Sequence, residues 1–228
     1  MQNNHPPHFN RSAPSYEHLF AIPNRISQMK KRESIGTQAA AIWFECELIV
    51  WFLLVLCWRA ATMCGCRIGG PRPNLYKAVP NQKLGLPNWV LDEITHHPHA
   101  EFWQYKFPWK SKNVGDEISG FIPPQLCLLI EAYLTIHRPV LVGDHDPGTL
   151  FVDRRGHAFS FSAFGKLVGD LTARFSGTRV HVGDFRRAFI LKWLNSHPDN
   201  IVELQRLLWH RSIRMTLKYF IRFPRKDS

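Results

Sequence analysis

The stretch that decides the reading runs from Asp184 to Phe220: DFRRAFILKWL over 184–194, then HPDNIVELQRLLWHRSIRMTLKYF over 197–220. Leu204, Leu207 and Leu208 recur at three- and four-residue intervals, the stripe of a helix, and Pro198 and Asp199 suit a helix start. The pattern predicts helices over Asp184–Asn195 and Pro198–Trp209 and a short further one reaching Tyr219. Along them stand Arg186, His210 and Tyr219, the last two nine residues apart.

These residue types fit one reaction. Breaking a phosphodiester without a metal needs an in-line nucleophile and neutralisation of the negative charge that builds on the non-bridging oxygens. Arginine suits the second task, because its planar fork gives two parallel hydrogen bonds and keeps its charge. A tyrosine nucleophile has a free pKa of about 10 and needs cations or a base beside it. The departing 5′ oxygen needs a proton, which Lys or His can supply.

Taken with their spacing, these residues resemble the tyrosine recombinases, or phage-type integrases. That family's signature is a His-x-x-Arg box, a helix, a Leu-Gly-His-like box and a tyrosine nine residues after its histidine. The resemblance puts the box arginine on Arg186, the later histidine on His210 within Leu208-Trp209-His210, and the nucleophile on Tyr219. Upstream, Trp58-Arg59, then Thr62 and Cys66-Arg67-Ile68-Gly69, resembles the segment around the family's first catalytic arginine and makes Arg59 a second phosphate clamp. Trp109-Lys110-Ser111-Lys112-Asn113 matches the setting of the family's hairpin lysine. Lys112 is the first choice as proton donor to the leaving oxygen and Lys110 the second. The match covers about residues 37 to 223 in the family's order.

One position departs from the pattern. If Arg186 is the box arginine, the box histidine is replaced by Gly183, with His181 two residues earlier; taking Arg187 instead puts Asp184 there. About 35 residues precede the match, where the family carries a helical core-binding domain, and nine follow Tyr219. The resemblance implies double-stranded DNA as partner and self-association on it. It implies location in a bacterial-type cytoplasm or with the cellular DNA, and no cofactor. The alternative is a DNA-binding relic or regulator that keeps the fold and has lost turnover.

Composition agrees with a polyanionic partner. The chain has 228 residues and a formal net charge of +11, which favours nucleic acid or an anionic membrane surface. The longest apolar run, Leu48–Trp58, has eleven residues, below the roughly 18 a bilayer span needs, and predicts a buried core helix. No basic amphipathic helix of the interfacial type is apparent, so no membrane is expected. The five cysteines include one lone Cys64-x-Cys66 pair, and His96, His97 and His99 surround Pro98; neither has metal-site spacing, and no metal is expected. Lys110, Arg211, Arg214 and Lys218 flank the motifs as DNA contacts that fix position without reading sequence, and Arg138, Arg154, Arg155 and Arg179 belong to the same class.

The remaining pattern gives the architecture. Residues 1–35, polar and interrupted by Pro6, Pro7, Pro14 and Pro23, with a helical period only over a short stretch near Tyr16–Ile22, read as a tail or remnant linker, and residues 36–228 as one domain. A helix is predicted from Thr37 through to Arg59, and residues 74–100 read as loop. Phe102–Phe107 and Glu117–Ile122 pair as strands across a Lys110–Gly115 turn. Pro123-Pro124 opens a helix ending near Arg138-Pro139. Thr149–Val152 reads as a short strand, and Ser160 or Ser162 caps another helix. The fold class is α+β, mainly α-helical, with a small antiparallel sheet, as in the catalytic domain of the family it resembles.

Overall fold

The computed structural model describes residues 14–81, 85–108, 117–210 and 212–222, with the side chains of 218–222 outside that description. Helices dominate, in the order α1 (Tyr16–Phe20), α2 (Ile22–Lys30), α3 (Gln38–Val55), α4 (Ala60–Cys64) and, after β1 (Leu75–Ala78), α5 (Asn88–His96). β2 (Phe102–Pro108) and β3 (Glu117–Phe121) follow, then α6 (Pro124–Ala132), a π-helical turn (Tyr133–His137), α7 (Arg138–Val142), α8 (Phe161–Ser176), α9 (Val182–Ser196), α10 (Ile201–Leu207) and α11 (Ile213–Arg222).

α3 is the axis of the molecule. Thr37 caps it, its hydroxyl accepting from the Ala40 N–H at 3.2 Å, and most of its apolar side chains are buried, with α2, α6, α7 and α9 packed around it. A helix apolar all round belongs in a core. By length and composition α3 and the rod Pro124–Val142 could each cross a bilayer, but 67% of α3 is buried inside the protein. The helix stops at Val55, short of the Arg59 expected, because Cys57 takes a left-handed conformation with φ of 51°.

Three further expectations are corrected. Residues 16–30 are not a loose tail: Leu19, Ile22 and Ile26 are fully buried, at the spacing of one helical face, and Pro23 sits in the first turn of α2, where its missing N–H costs nothing. Lys30, at the end of α2, pairs with Glu47 at 2.5 Å and lies 4.4 Å from the ring centre of Phe44. The 74–100 segment contributes β1 and α5. The helix opened by Pro123-Pro124 passes through Arg138-Pro139 to Val142, its π turn coming just before the ring that would clash with the carbonyl four residues back.

The sheet is antiparallel in the order β1-β2-β3, with Tyr105 opposite Gly120. A Cβ at Gly120 would lie 2.4 Å from the Tyr105 hydroxyl, so the glycine makes room for that ring. Residues 149–152 form isolated bridges, Arg67 to Thr149 and Val152 to Ala158, and no strand. A buried carboxylate takes the strand's place as acceptor: Glu45 Oε1 receives the Val152 N–H at 2.8 Å and the Tyr133 hydroxyl at 2.6 Å. Burial pushes the Glu45 carboxyl up to about 7. Ser160, not Ser162, caps α8.

Candidate active site

Arg186 lies on α9 and is 8% exposed. Its Nη1 donates to the Cys57 carbonyl at 3.0 Å and its Nη2 to the Leu208 carbonyl. One guanidinium therefore ties the residue two before Arg59 to the residue two before His210. A small apolar cluster of Cys57, Ile190, Leu194, Leu204 and Leu208 encloses this junction. Arg187, the other reading of the box arginine, instead pairs with Asp184 at 2.5 Å, a surface contact one helical turn long.

Among the described residues, the non-glycine residues with left-handed backbone are Cys57 at φ 51° and Trp209 at φ 52°. Both adjoin the carbonyls that Arg186 holds, or carry them. Such a conformation costs an L-residue about 1–2 kcal/mol and persists where the surroundings over-determine it, as at functional sites. Trp209 also explains the box itself: a position with positive φ favours glycine, and here tryptophan fills it.

Packing compensates for that strain. Trp209 meets Tyr105 at 5.5 Å, Trp58 at 6.0 Å and Phe107 at 6.3 Å between ring centres. Trp58 in turn meets Tyr105 and Phe107 edge-on at 5.2 and 5.0 Å. Trp58 precedes Arg59, Trp209 precedes His210, and β2 leads toward Lys110 and Lys112. This aromatic cluster thus sets the segments of Arg59 and His210 against each other and against β2.

Arg59 is exposed at the N-terminus of α4, in extended conformation. It opens that helix and does not cap the end of α3. His210 is 5% exposed, and its Nδ1 lies 2.9 Å from the hydroxyl of fully buried Thr216. Burial first, then the charges of Arg186 and Arg59, push its pKa down to about 4. Arg59, Arg186 and His210 therefore share one electrostatic neighbourhood, and the imidazole is neutral at pH 7. The His210 N–H donates to the Gln205 carbonyl at 3.0 Å, and Gln205 Nε2 returns a bond to the His210 carbonyl at 3.0 Å.

Tyr219 lies on α11, three residues beyond Thr216 on the same side of the helix; its side chain, like that of Lys218, is outside the description. Lys110, Lys112 and Arg211 fall outside the described residues. Arg214 is exposed on the first turn of α11. Gly183 is exposed in the first turn of α9, three residues before Arg186, with nothing within 4 Å of a Cβ built there. His181 caps α9, its N–H donating to Asp184 Oδ2 at 2.9 Å. Arg138 is not a phosphate contact: it is 4% exposed, forks onto Asp146 at 2.5 and 2.6 Å and donates to the Thr149 and Leu150 carbonyls. Among the described residues no three His, Cys, Asp or Glu side chains group as metal ligands.

Sequence reasoning missed Cys57, Tyr105 and Thr216 as parts of the site. Thr216 had a signal, standing three residues before Tyr219 on one helical face; the other two depend on tertiary contacts.

No protein-family model and no curated protein matches the chain. Solved structures do. The chain is similar to XerA recombinase, with a TM-score of 0.58 and 17% identity over 96% of this chain and 61% of that one. It is similar to XerH site-specific recombinase bound to palindromic difH substrate in a post-cleavage complex, with a TM-score of 0.61 and 14% identity over 92% and 49%. It is also similar to the Tn1549 transposon integrase in complex with transposon right-end DNA, with a TM-score of 0.58 and 11% identity over 92% and 61%. The chain thus spans about half to three-fifths of the length of these structures. At these identities the likeness is one of fold: a mainly helical domain with a three-stranded antiparallel sheet, the fold of a tyrosine recombinase catalytic domain.

Proposed function

We propose that this chain breaks and rejoins double-stranded DNA through a 3′-phosphotyrosine on Tyr219, as a site-specific recombinase or integrase. The observation that carries the reading is the convergence of Arg59, Arg186 and His210, with Arg186 holding the backbones beside the other two at strained residues. Tyr219 Oη attacks phosphorus and the P–O5′ bond breaks. Arg59 and Arg186 offset the charge on the non-bridging oxygens, neutral His210 donates a hydrogen bond to one of them, and Lys112 protonates the departing O5′. With glycine at the box position the phenolic proton passes to water, a slower route than a side-chain base. A second 5′-hydroxyl reverses the step, and the bond energy kept in the phosphotyrosine makes an external energy source unnecessary. Lys110, Arg211, Arg214 and Lys218 hold the DNA backbone, and several copies assemble on one DNA.

A gel assay tests this with nicked suicide duplexes cut from the chromosomal sequence on either side of the gene. A covalent adduct that Tyr219→Phe abolishes is expected. Its absence on all such duplexes refutes the enzyme reading. Gly183 and the use of two Arg186 nitrogens on backbone carbonyls favour a second reading, a DNA-binding regulator without turnover. That reading expects salt-sensitive duplex retention, unchanged in Tyr219→Phe, and no adduct.

A further inference from the structure

We infer that Thr216 is a positioning residue for His210: its hydroxyl donates to Nδ1 and so places the ring proton on Nε2. The inference rests on the proposed reaction for its purpose but on local geometry for its substance. The contact is 2.9 Å long, and both groups are buried. Three other helical threonines, Thr95, Thr135 and Thr172, send their hydroxyls to carbonyls four residues back, at 2.7, 2.7 and 3.0 Å. Thr216 instead turns its hydroxyl onto the imidazole.

The ring has reason to receive that hydroxyl as an acceptor. A neutral imidazole carries one N–H and one lone pair, and the bond made at one nitrogen decides the role of the other. Burial, and then the charges of Arg186 and Arg59, keep the ring neutral, so one of its nitrogens is a lone-pair acceptor suited to a donor. The backbone of His210 is locked to Gln205 on both sides, and the Thr216 hydroxyl adds a contact to the ring itself. An N–H at Nε2 is what hydrogen bonding to a phosphate oxygen requires. Because Thr216 and Tyr219 share one side of α11, seating that helix both brings the nucleophile's segment to the site and sets the histidine.

The test uses the full chain labelled with nitrogen-15 in histidine, in which the protonated and bare ring nitrogens resonate far apart. The His210 signals among the twelve histidines are identified by their loss in His210→Gln. At pH 7 the unsubstituted protein is expected to show the proton on Nε2. Thr216→Val, which keeps the shape and removes the hydroxyl, should populate both tautomers, and Thr216→Ser should restore the single one. On a nicked duplex that yields adduct, Thr216→Val should slow adduct formation by about fivefold, the kinetic equivalent of one neutral hydrogen bond, with duplex retention unchanged and Thr216→Ser within about twofold of the parent. A proton on Nδ1 in the unsubstituted protein overturns the inference whether or not any variant folds. So does a Thr216→Val spectrum identical to the parent's. If the tautomer behaves as expected and no duplex yields an adduct, the positioning stands and the recombinase reading falls.

Discussion

Trp209 offers the sharpest test of how this site is built, because two substitutions there separate strain from packing. Replacing it with alanine removes the contacts with Tyr105, Trp58 and Phe107 but keeps a Cβ at φ 52°. A buried Trp→Ala change costs about 3–5 kcal/mol; the ring is half-buried, so about 3 kcal/mol applies. Replacing it with glycine loses the same contacts and recovers the left-handed penalty of about 1–2 kcal/mol, less about 0.5–1 kcal/mol for the freer unfolded chain. The net loss for Trp209→Gly is then about 2 kcal/mol, and glycine is better than alanine by about 1 kcal/mol, the reverse of the order at ordinary positions. For a chain of this length 1 kcal/mol moves Tm by about 2–4 °C. Thermal unfolding followed by circular dichroism should rank the parent above Trp209→Gly and that above Trp209→Ala. If alanine equals or exceeds glycine, the strain at residue 209 is not real and the account of the box fails.

Two further outcomes are expected. Gly183→His enters open space on an exposed turn, so stability should change by less than about 0.5 kcal/mol while adduct yield on a reactive duplex rises; a folded variant with lower yield would show that position 183 does not face the reacting phosphate. Glu45 has its folded-state pKa raised from 4.5 to about 7, so the native state holds a proton there that the unfolded chain releases, and its contribution to stability is lost as pH rises through that window; Glu45→Gln, neutral throughout, should gain on the parent between pH 4.5 and 7 in urea titrations, and a pH-independent difference would mean that the carboxyl is not raised. His210 gives the opposite slope, since its depressed pKa of about 4 costs stability only as pH falls, and it cancels in that comparison because both proteins carry it.

What could be read from residues alone was whatever lay within one helix or one short motif. Arg186, His210 and Tyr219 stand at fixed spacings, on α9, on the link between α10 and α11 and on α11, and the strand at 102–108 announces itself by alternation. Arg138 was misread because a charge is taken for surface until its partner is known, and that partner, Asp146, lies beyond the end of α7. Beyond a short helical period near Tyr16–Ile22, the packing of residues 16–30 was not legible, because its buried apolar residues, Leu19, Ile22 and Ile26, are diluted by polar neighbours and prolines. The left-handed backbone at Cys57 and Trp209 had no local signal at all: nothing in either side chain asks for positive φ, and only the pull of Arg186 on two carbonyls and the aromatic packing around Trp209 account for it.

That interlock bears on how the site can be tested. A guanidinium has five N–H groups in a rigid fork, and Arg186 commits two nitrogens to carbonyls on segments far apart in sequence. Removing it would leave two buried carbonyls without those donors, at about 1–3 kcal/mol each, besides any effect on a phosphate. Loss of function at Arg186 thus conflates folding with chemistry. Arg59 does not share this burden, being exposed where α4 begins, and neither does the hydroxyl of Tyr219 under substitution by phenylalanine, which keeps the ring. A regulator without turnover needs Arg186 to hold its backbone together and needs Arg59 only if it grips a phosphate. The discriminating pair is therefore Arg59 and Tyr219: a role in phosphate binding alone is touched only by the first, and strand cleavage requires both.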